Sequence, residues 1–180
     1  QQWADLSEAG YGVALLNDSK YGYRVKGSSL ELSLLRAPTE PDPVADVGSH
    51  RFTYSLLPHA GDFAVSDVLA QAAVINQGLS CFEGVAAGDA ALPVSVTGEG
   101  LELAVLKRAE KEDCLVVRVV ETRGRTARGV LRARDPQRRF VETDLLEWKD
   151  GAPSAAADLE TAFKPFEIRT WKVRLPDLAG

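Results

Sequence analysis

YGVALLNDSKYGY, residues Tyr11 to Tyr23, followed by LSLLRAP from Leu32 to Pro38, is the stretch on which the reading of this chain turns. Val13 to Leu16 is a short apolar run that breaks at Asn17-Asp18, two residues that favour turns because their side chains hydrogen-bond their own backbone. A buried strand that stops at an Asx turn is the plain reading. Lys20, Tyr21 and Tyr23 then put one cation and two aromatic hydroxyls beside the turn, within reach of solvent. Such groups on a loop suit a polyol ligand and equally suit any sheet edge, so composition and spacing alone assign no function.

Outward from this stretch the chain reads as strands. Tyr11 to Asp18 is the first, and Tyr23 to Leu35 a hairpin turning at Lys26 to Ser29, where Leu30, Leu32 and Leu34 alternate with Glu31 and Ser33 in the period of a half-buried strand. Pro38 to Pro43 carries three prolines and two acids, which cannot complete a ladder and form a loop. His50 to His59 resumes as strand with Phe52, Tyr54 and Leu56 facing one way. Ser66 to Gln77 holds the helical signal: Ser66 or Asp67 can cap it, Val68, Leu69, Ala72, Ala73 and Ile75 recur at helical spacing, and Asn76-Gln77-Gly78 ends it.

The small residues from Val85 to Ala90 mark a boundary, giving domains at 1–84 and 85–180. Beyond it the strands are Val94 to Thr97, Leu101 to Val105, Leu115 to Val120 (apolar on both faces apart from Arg118), Thr126 to Arg134 and Phe140 to Leu146, at the short spacing of a sandwich. Gly151 to Ala157 reads as a loop. The last strand alternates at Phe166 and Ile168 and then shifts phase to Trp171, Val173 and Leu175, which calls for a bulge near Arg169-Thr170. The fold class is therefore all-β in two parts with one short helix between them.

The full run WADLSEAGYGVALLNDSKYGY, then LSLLRAPTEPDPVAD and HRFTYSLLPH, resembles the C-terminal region of α-mannosidases of glycoside hydrolase family 38, in its cytosolic and bacterial branch. LKRAEKEDCLVVRVVE (Leu106 to Glu121) and FKPFEIRTWKV (Phe163 to Val173) are similar to that family's terminal β domain, so the match runs nearly end to end. The resemblance implies that the first part is the end of a large β-sandwich, a supersandwich of the galactose mutarotase-like kind, and the second a small terminal β-sandwich. The family's enzymes are several times longer, and the chain is expected to be a C-terminal fragment. What the resemblance implies for function is an enzyme that cleaves α-mannosidic bonds of glycans, retaining and zinc-dependent, with this region supporting the catalytic N-terminal region and lining the sugar site through Asn17, Asp18, Lys20, Tyr21 and Arg36.

The chemistry itself is missing from these residues. A retaining glycosidase needs two carboxylates ~5 Å apart, and the family adds two histidines and two aspartates for zinc, motifs that belong to its N-terminal region. Here the two histidines, His50 and His59, are an odd nine positions apart, which puts them on opposite faces if one strand carries both. Neither catalytic residues nor a metal site is expected in this chain, and it is expected to be inactive alone. Ser49-His50 beside Asp46 imitates a nucleophile, base and acid only in sequence, since adjacent strand residues point apart. Glu40, Asp42 and Asp46 read as acids that keep a loop solvated, and no G-x-S-x-G, P-loop or H-E-x-x-H occurs.

Composition bounds the remaining classes. At 180 residues, 45% hydrophobic and 26% charged, the chain is an ordinary soluble globular protein that can bury roughly 70% of its unfolded surface. Arg123 to Arg139 concentrates seven arginines, yet no aromatic interleaves them before Phe140 and the net charge is −5, so a solvated strand pair is favoured over nucleic acid. No apolar run approaches the ~18 residues of a membrane span. Cys81 and Cys114 lack C-x-x-C spacing and are expected to be reduced, buried thiols of a cytoplasmic protein. A sheet cut from a larger sandwich leaves an unpaired edge or apolar surface, so association into a homo-oligomer is expected. The rival reading is a free-standing carbohydrate-binding module, but Trp3, Trp148 and Trp171 are too far apart in sequence to suggest a stacking platform.

Overall fold

A computed structural model describes residues 2–78, 81, 83–84 and 92–174. The chain folds as two units, residues 1–82 and 83–180. The boundary expected at Val85 to Ala90, and Leu175 of the last strand, lie outside the described residues.

In the first unit β1 (Trp3–Ser7), β2 (Tyr11–Asn17) and β5 (Tyr54–Ala60) form an antiparallel sheet in the order β1-β2-β5, beside a separate hairpin of β3 (Tyr23–Lys26) and β4 (Ser29–Leu32). The hairpin turns on Gly27-Ser28, and Gly27 takes the positive φ of 57° that a tight two-residue turn demands. Alternation along β2 sends Ala14 and Leu16 inward, where they pack with Val68 and Ala72 of helix α1 (Val68–Asn76). Trp3 stacks on Phe63 at 4.6 Å to close one end of this core. The Ser66 hydroxyl accepts the Val68 N–H and donates to Phe63 O, fixing the helix start.

Sequence periodicity missed β1 because an acid, Asp5, sits among its inward residues. Its carboxylate is buried and accepts a hydrogen bond from His59 Nε2 at 2.7 Å, reaching across β2 from β5. The imidazole lies against bare backbone: a Cβ at Gly12 would come within 2.3 Å of His59 Cε1. Two expectations are shortened here. The hairpin ends at Leu32, leaving Leu34 and Leu35 exposed, and β5 begins at Tyr54, so His50 and Phe52 precede the strand. Tyr54 and Leu56 do share a face, the solvent-facing one.

The second unit is a sandwich. One sheet runs β11 (Asp150–Pro153), β10 (Arg139–Thr143), β13 (Ile168–Arg174), β8 (Leu115–Glu121), β7 (Leu101–Arg108), and the other β12 (Asp158–Phe163), β9 (Ala127–Ala133), β6 (Val94–Thr97). Its core joins Val117, Val119, Phe140, Trp171 and Val173 of the first sheet to Val94, Leu131 and Phe163 of the second, and each such side chain contributes about 1.5–3 kcal/mol when fully buried. Phe163 meets Trp171 edge to face at 5.9 Å, and the Arg169 guanidinium, held by Glu142, lies over both rings.

Three expectations are corrected in this unit. The last strand needs no bulge: β13 pairs with β8 and β10 in unbroken register, and its apparent change of phase reflects burial of both faces from Thr170 to Val173. Lys172 supplies the second face, only 3% exposed, because Glu112 and Asp150 neutralise it. Register shifts instead in β7, between Leu103 and Val105, and in β10 against β11, between Val141 and Thr143. The supposed loop from Gly151 contains β11, an outer strand where Pro153 is tolerated because its missing N–H costs no ladder bond. The strand from Phe140 stops at Thr143, where Asp144 starts a turn.

Glu121 closes β8 with a fully buried carboxylate that accepts four backbone N–H groups, from Arg123, Gly124, Arg125 and Phe166. Burial alone would raise its pKa, and the four donors together outweigh that and hold it below the usual carboxylate value. Cys114 is buried, which pushes its thiol pKa up, whereas Cys81 is exposed, contrary to the sequence expectation. The all-β reading with one short helix stands, and among the described residues no helix is long and apolar enough to cross a membrane.

Candidate functional site

The turn at the end of β2 is assembled around Asn17, which is fully buried. Its Oδ1 accepts the N–H of Ser19 at 2.9 Å and that of Lys20, and its Nδ2 donates to the Tyr23 hydroxyl. Tyr23 passes the connection on to Leu15 O at 3.2 Å, and burial raises its pKa. From the other side Asn76 of α1 donates to Asn17 O at 3.0 Å and to Ala72 O at 2.9 Å. Asn17 is thus the pin that ties strand, hairpin and helix together.

Asp18 extends the clasp to the far side of the loop. It accepts the Thr53 N–H at 3.0 Å while its own N–H donates to Thr53 O at 3.2 Å. The Thr53 N–H, with the Ser19 hydroxyl, lowers the carboxyl pKa. Lys20 is set with its ammonium 5.1 Å from the centre of the Phe52 ring. Tyr21 is 62% exposed, and Arg36 is exposed just ahead of Ala37, whose N–H is taken by Asp46 at 2.9 Å. The structure therefore brings Asn17, Asp18 and Lys20 onto one turn. Tyr21 and Arg36 make no hydrogen bond or ion pair among the described residues and present free polar groups to solvent.

The two histidines lie in different settings. His59 is buried on Asp5, which holds its pKa above the ordinary value, while exposed His50 donates to Asp46 O at 2.8 Å. Among the described residues no group of three His, Cys, Asp or Glu could hold a metal ion.

Sequence reasoning missed one feature of this unit. On the face of the sheet away from α1, Leu6, Tyr11, Val13, Leu15, Leu30 and Leu56 line an open groove of about 600 Å³, and Leu56 is 65% exposed. The signal lay in the alternation of Tyr11, Val13 and Leu15 against Tyr54 and Leu56, which register sets side by side with Leu15 opposite Leu56. A groove with walls this apolar has the character of an interface.

Comparison with known proteins gives this geometry its context. The family model "Glycosyl hydrolases family 38 C-terminal domain" matches residues 1–44, which include β1 to β4, and "Glycosyl hydrolases family 38 C-terminal beta sandwich domain" matches residues 100–171. Alpha-mannosidase 2C1 of Homo sapiens is 39% identical over 175 residues, covering 93% of this chain and 17% of that protein. Alpha-mannosidase G of Dictyostelium discoideum is 34% identical, covering 95% and 17%, and an alpha-mannosidase of Saccharomyces cerevisiae 31%, covering 96% and 18%. The chain spans 17–18% of the length of these curated relatives. The crystal structure of an alpha-mannosidase from Enterococcus faecalis V583 superposes with a TM-score of 0.67 over 96% of this chain and 20% of that one, at 21% identity, which shows the shared fold.

Proposed function

Because this chain belongs to glycoside hydrolase family 38, as a stretch of its C-terminal β region, we propose that it is the non-catalytic part of an α-mannosidase and that the first unit seats on the remainder of that enzyme through its open apolar face. The parent hydrolyses α-mannosidic bonds of glycans with retention of configuration. Its carboxylate pair and its zinc ion are held by residues outside this chain. Two buried carboxylates are already committed, Asp5 to His59 and Glu121 to four backbone donors, so neither is free to protonate a leaving group or attack an anomeric carbon. His50 and His59, one exposed on a loop and one buried on Asp5, do not fit a shared zinc site.

The observation that carries the reading is the groove between Leu6, Val13 and Leu56, an apolar surface on a sheet whose outer strands β1 and β5 have no further strand paired to them among the described residues. The turn from Asn17 to Tyr21, with Arg36, then lies at the rim of the sugar site, where Asn17 and Asp18 shape the loop and Lys20, Tyr21 and Arg36 offer hydrogen bonds to sugar hydroxyls. The enzyme is cytoplasmic, in keeping with two free thiols.

The test is complementation. This chain and the rest of the parent polypeptide, expressed separately, are expected to cleave an aryl α-mannoside only when mixed. Leu56→Asp is expected to abolish the gain while this chain keeps its circular dichroism. Activity of the remainder undiminished without this chain overturns the proposal, as does turnover by this chain alone.

A further inference from the structure

The turn between β10 and β11 is built on one carboxylate. Asp144 Oδ1 accepts the N–H of Leu146 at 3.1 Å and of Trp148 at 2.9 Å, and Asp144 O accepts that of Glu147 at 3.0 Å. The three bonds hold Glu147 at a φ of 64°, a conformation that a residue with a Cβ adopts only when its surroundings impose it. The turn also holds Trp148 66% exposed, although an indole ordinarily buries most of its area. A fixed aromatic plane in water is a prepared contact surface.

Beside that plane a cavity of about 130 Å³ opens between the turn and residues 109–112, which join β7 to β8, with Lys172 also in its wall. Glu147 is nine-tenths buried there. One of its oxygens takes the Lys107 ammonium at 2.8 Å, which together with the Glu110 backbone N–H keeps the carboxyl ionised, and the other is buried with no donor at hydrogen-bond geometry. A buried acceptor left without a donor costs stability, and a ligand hydroxyl that enters the cavity would supply one. Lys111, its ammonium 5.2 Å from the Trp148 ring centre, and Glu110 complete a rim of both signs.

This chemistry selects among occupants. An apolar protein segment would have to strip water from Glu110, Lys111 and Glu112, and a polyanion would meet three carboxylates. A pyranose ring matches both parts, with a C–H face for the indole and hydroxyls that donate to carboxylates and accept from ammonium groups. Sequence spacing argued against a platform of several tryptophans, but one sugar ring needs only one. We infer that this cavity is a subsite for a single pyranose residue of a glycan, seated on Trp148 and donating a hydroxyl to Glu147. The site lies wholly in the second unit and goes beyond the docking role of the first, so either can fail without the other.

The test is a titration of the whole chain, and of the longer parent, with methyl α-D-mannoside, following the indole N–H resonances of Trp3, Trp148 and Trp171. The expected result is a saturable millimolar shift confined to Trp148 and weakened several-fold in Glu147→Gln; saturation transfer from protein to the mannoside, which needs no indole reporter, is expected to be retained in weakened form in Trp148→Phe and lost in Trp148→Ala. Unmoved Trp3 and Trp171 signals in those variants report that the fold is kept. Mannitol, which has the hydroxyls without the ring face, is expected to give no saturable shift. Saturable binding that survives Trp148→Ala, an equal response to mannitol, or a Trp148 signal that never saturates with the mannoside overturns the inference.

Discussion

His59 and Asp5 are joined at 2.7 Å from one outer strand of a sheet to the other, passing over the bare backbone of Gly12 on the strand between them. The Asp5 carboxylate raises the folded pKa of His59 above its ordinary 6.5. Protonated His59 is therefore favoured in the folded state. The stabilisation is complete below pH 6.5 and is lost as pH rises through the folded pKa. The expected outcome is a His59 ring titration, followed by NMR, with its midpoint above 6.5, and a melting temperature that falls over the same interval. In Asp5→Asn the midpoint is expected to return toward or below 6.5.

Glu121 makes the opposite pH statement. Its folded pKa is lowered from 4.5, so its contribution is complete above that value and disappears as pH falls through the folded pKa. Glu121→Gln keeps the shape but replaces one acceptor oxygen with a donor that faces backbone N–H groups. With the amide oxygen placed where Oε2 takes three donors, the Arg123 N–H is left unpaired, which is expected to cost about 1–3 kcal/mol, read as a lower urea midpoint at pH 7 with unchanged slope.

At Lys172 the two obvious replacements are expected to differ. Asp150 and Glu112 retain Arg174 at 3.5 and 3.4 Å when the lysine is gone, so Lys172→Met, which fills the same volume with apolar atoms, is expected to cost less than the roughly 3–5 kcal/mol of a buried ion pair left wholly uncompensated. Lys172→Ala adds a cavity and is expected to cost more than Lys172→Met. Thermal melts of both variants check the order.

The turn after β2 separates shaping from contact. Asp18→Asn weakens the side-chain bond from the Thr53 N–H and is expected to lower the melting temperature of the parent enzyme while leaving kcat/KM within a few-fold. Tyr21→Phe and Arg36→Ala, which remove groups with no internal bond, are expected to leave melting unchanged and to lower kcat/KM by about one to two orders of magnitude, the worth of a charged or well-placed hydrogen bond to substrate. Steady-state kinetics beside calorimetry on the same preparations decides each case.

Strands whose pattern is local were legible in the sequence: β2 and β8 fall where their apolar runs and flanking turn residues put them, and the β3 and β4 hairpin where alternation does. Errors gather where a charge is buried by a partner remote in sequence. Asp5 hid β1 because its partner is 54 positions away, and Lys172 imitated a break in phase because its partner Glu112 is 60 positions away. No local pattern carries such pairings. Asn17 was legible as a turn former, but its role as the tie to α1 depends on Asn76, 59 positions on. The apolar groove escaped because periodicity tells which residues share a face and is silent on whether anything covers it.

The bare backbone at Gly12 also fixes an order of evolutionary events. With His59 in place a methyl group at position 12 would lie 2.3 Å from the ring and 2.6 Å from Ser7 Cβ, so Gly12→Ala alone is expected to cost about 1–3 kcal/mol by overpacking. A lineage can fill position 12 only after it has shrunk or moved the imidazole and drawn Ser7 back as well. Once it has done so, His59 cannot return without reversing the first change, and a glycine that looks replaceable becomes a one-way gate on the histidine across the ladder.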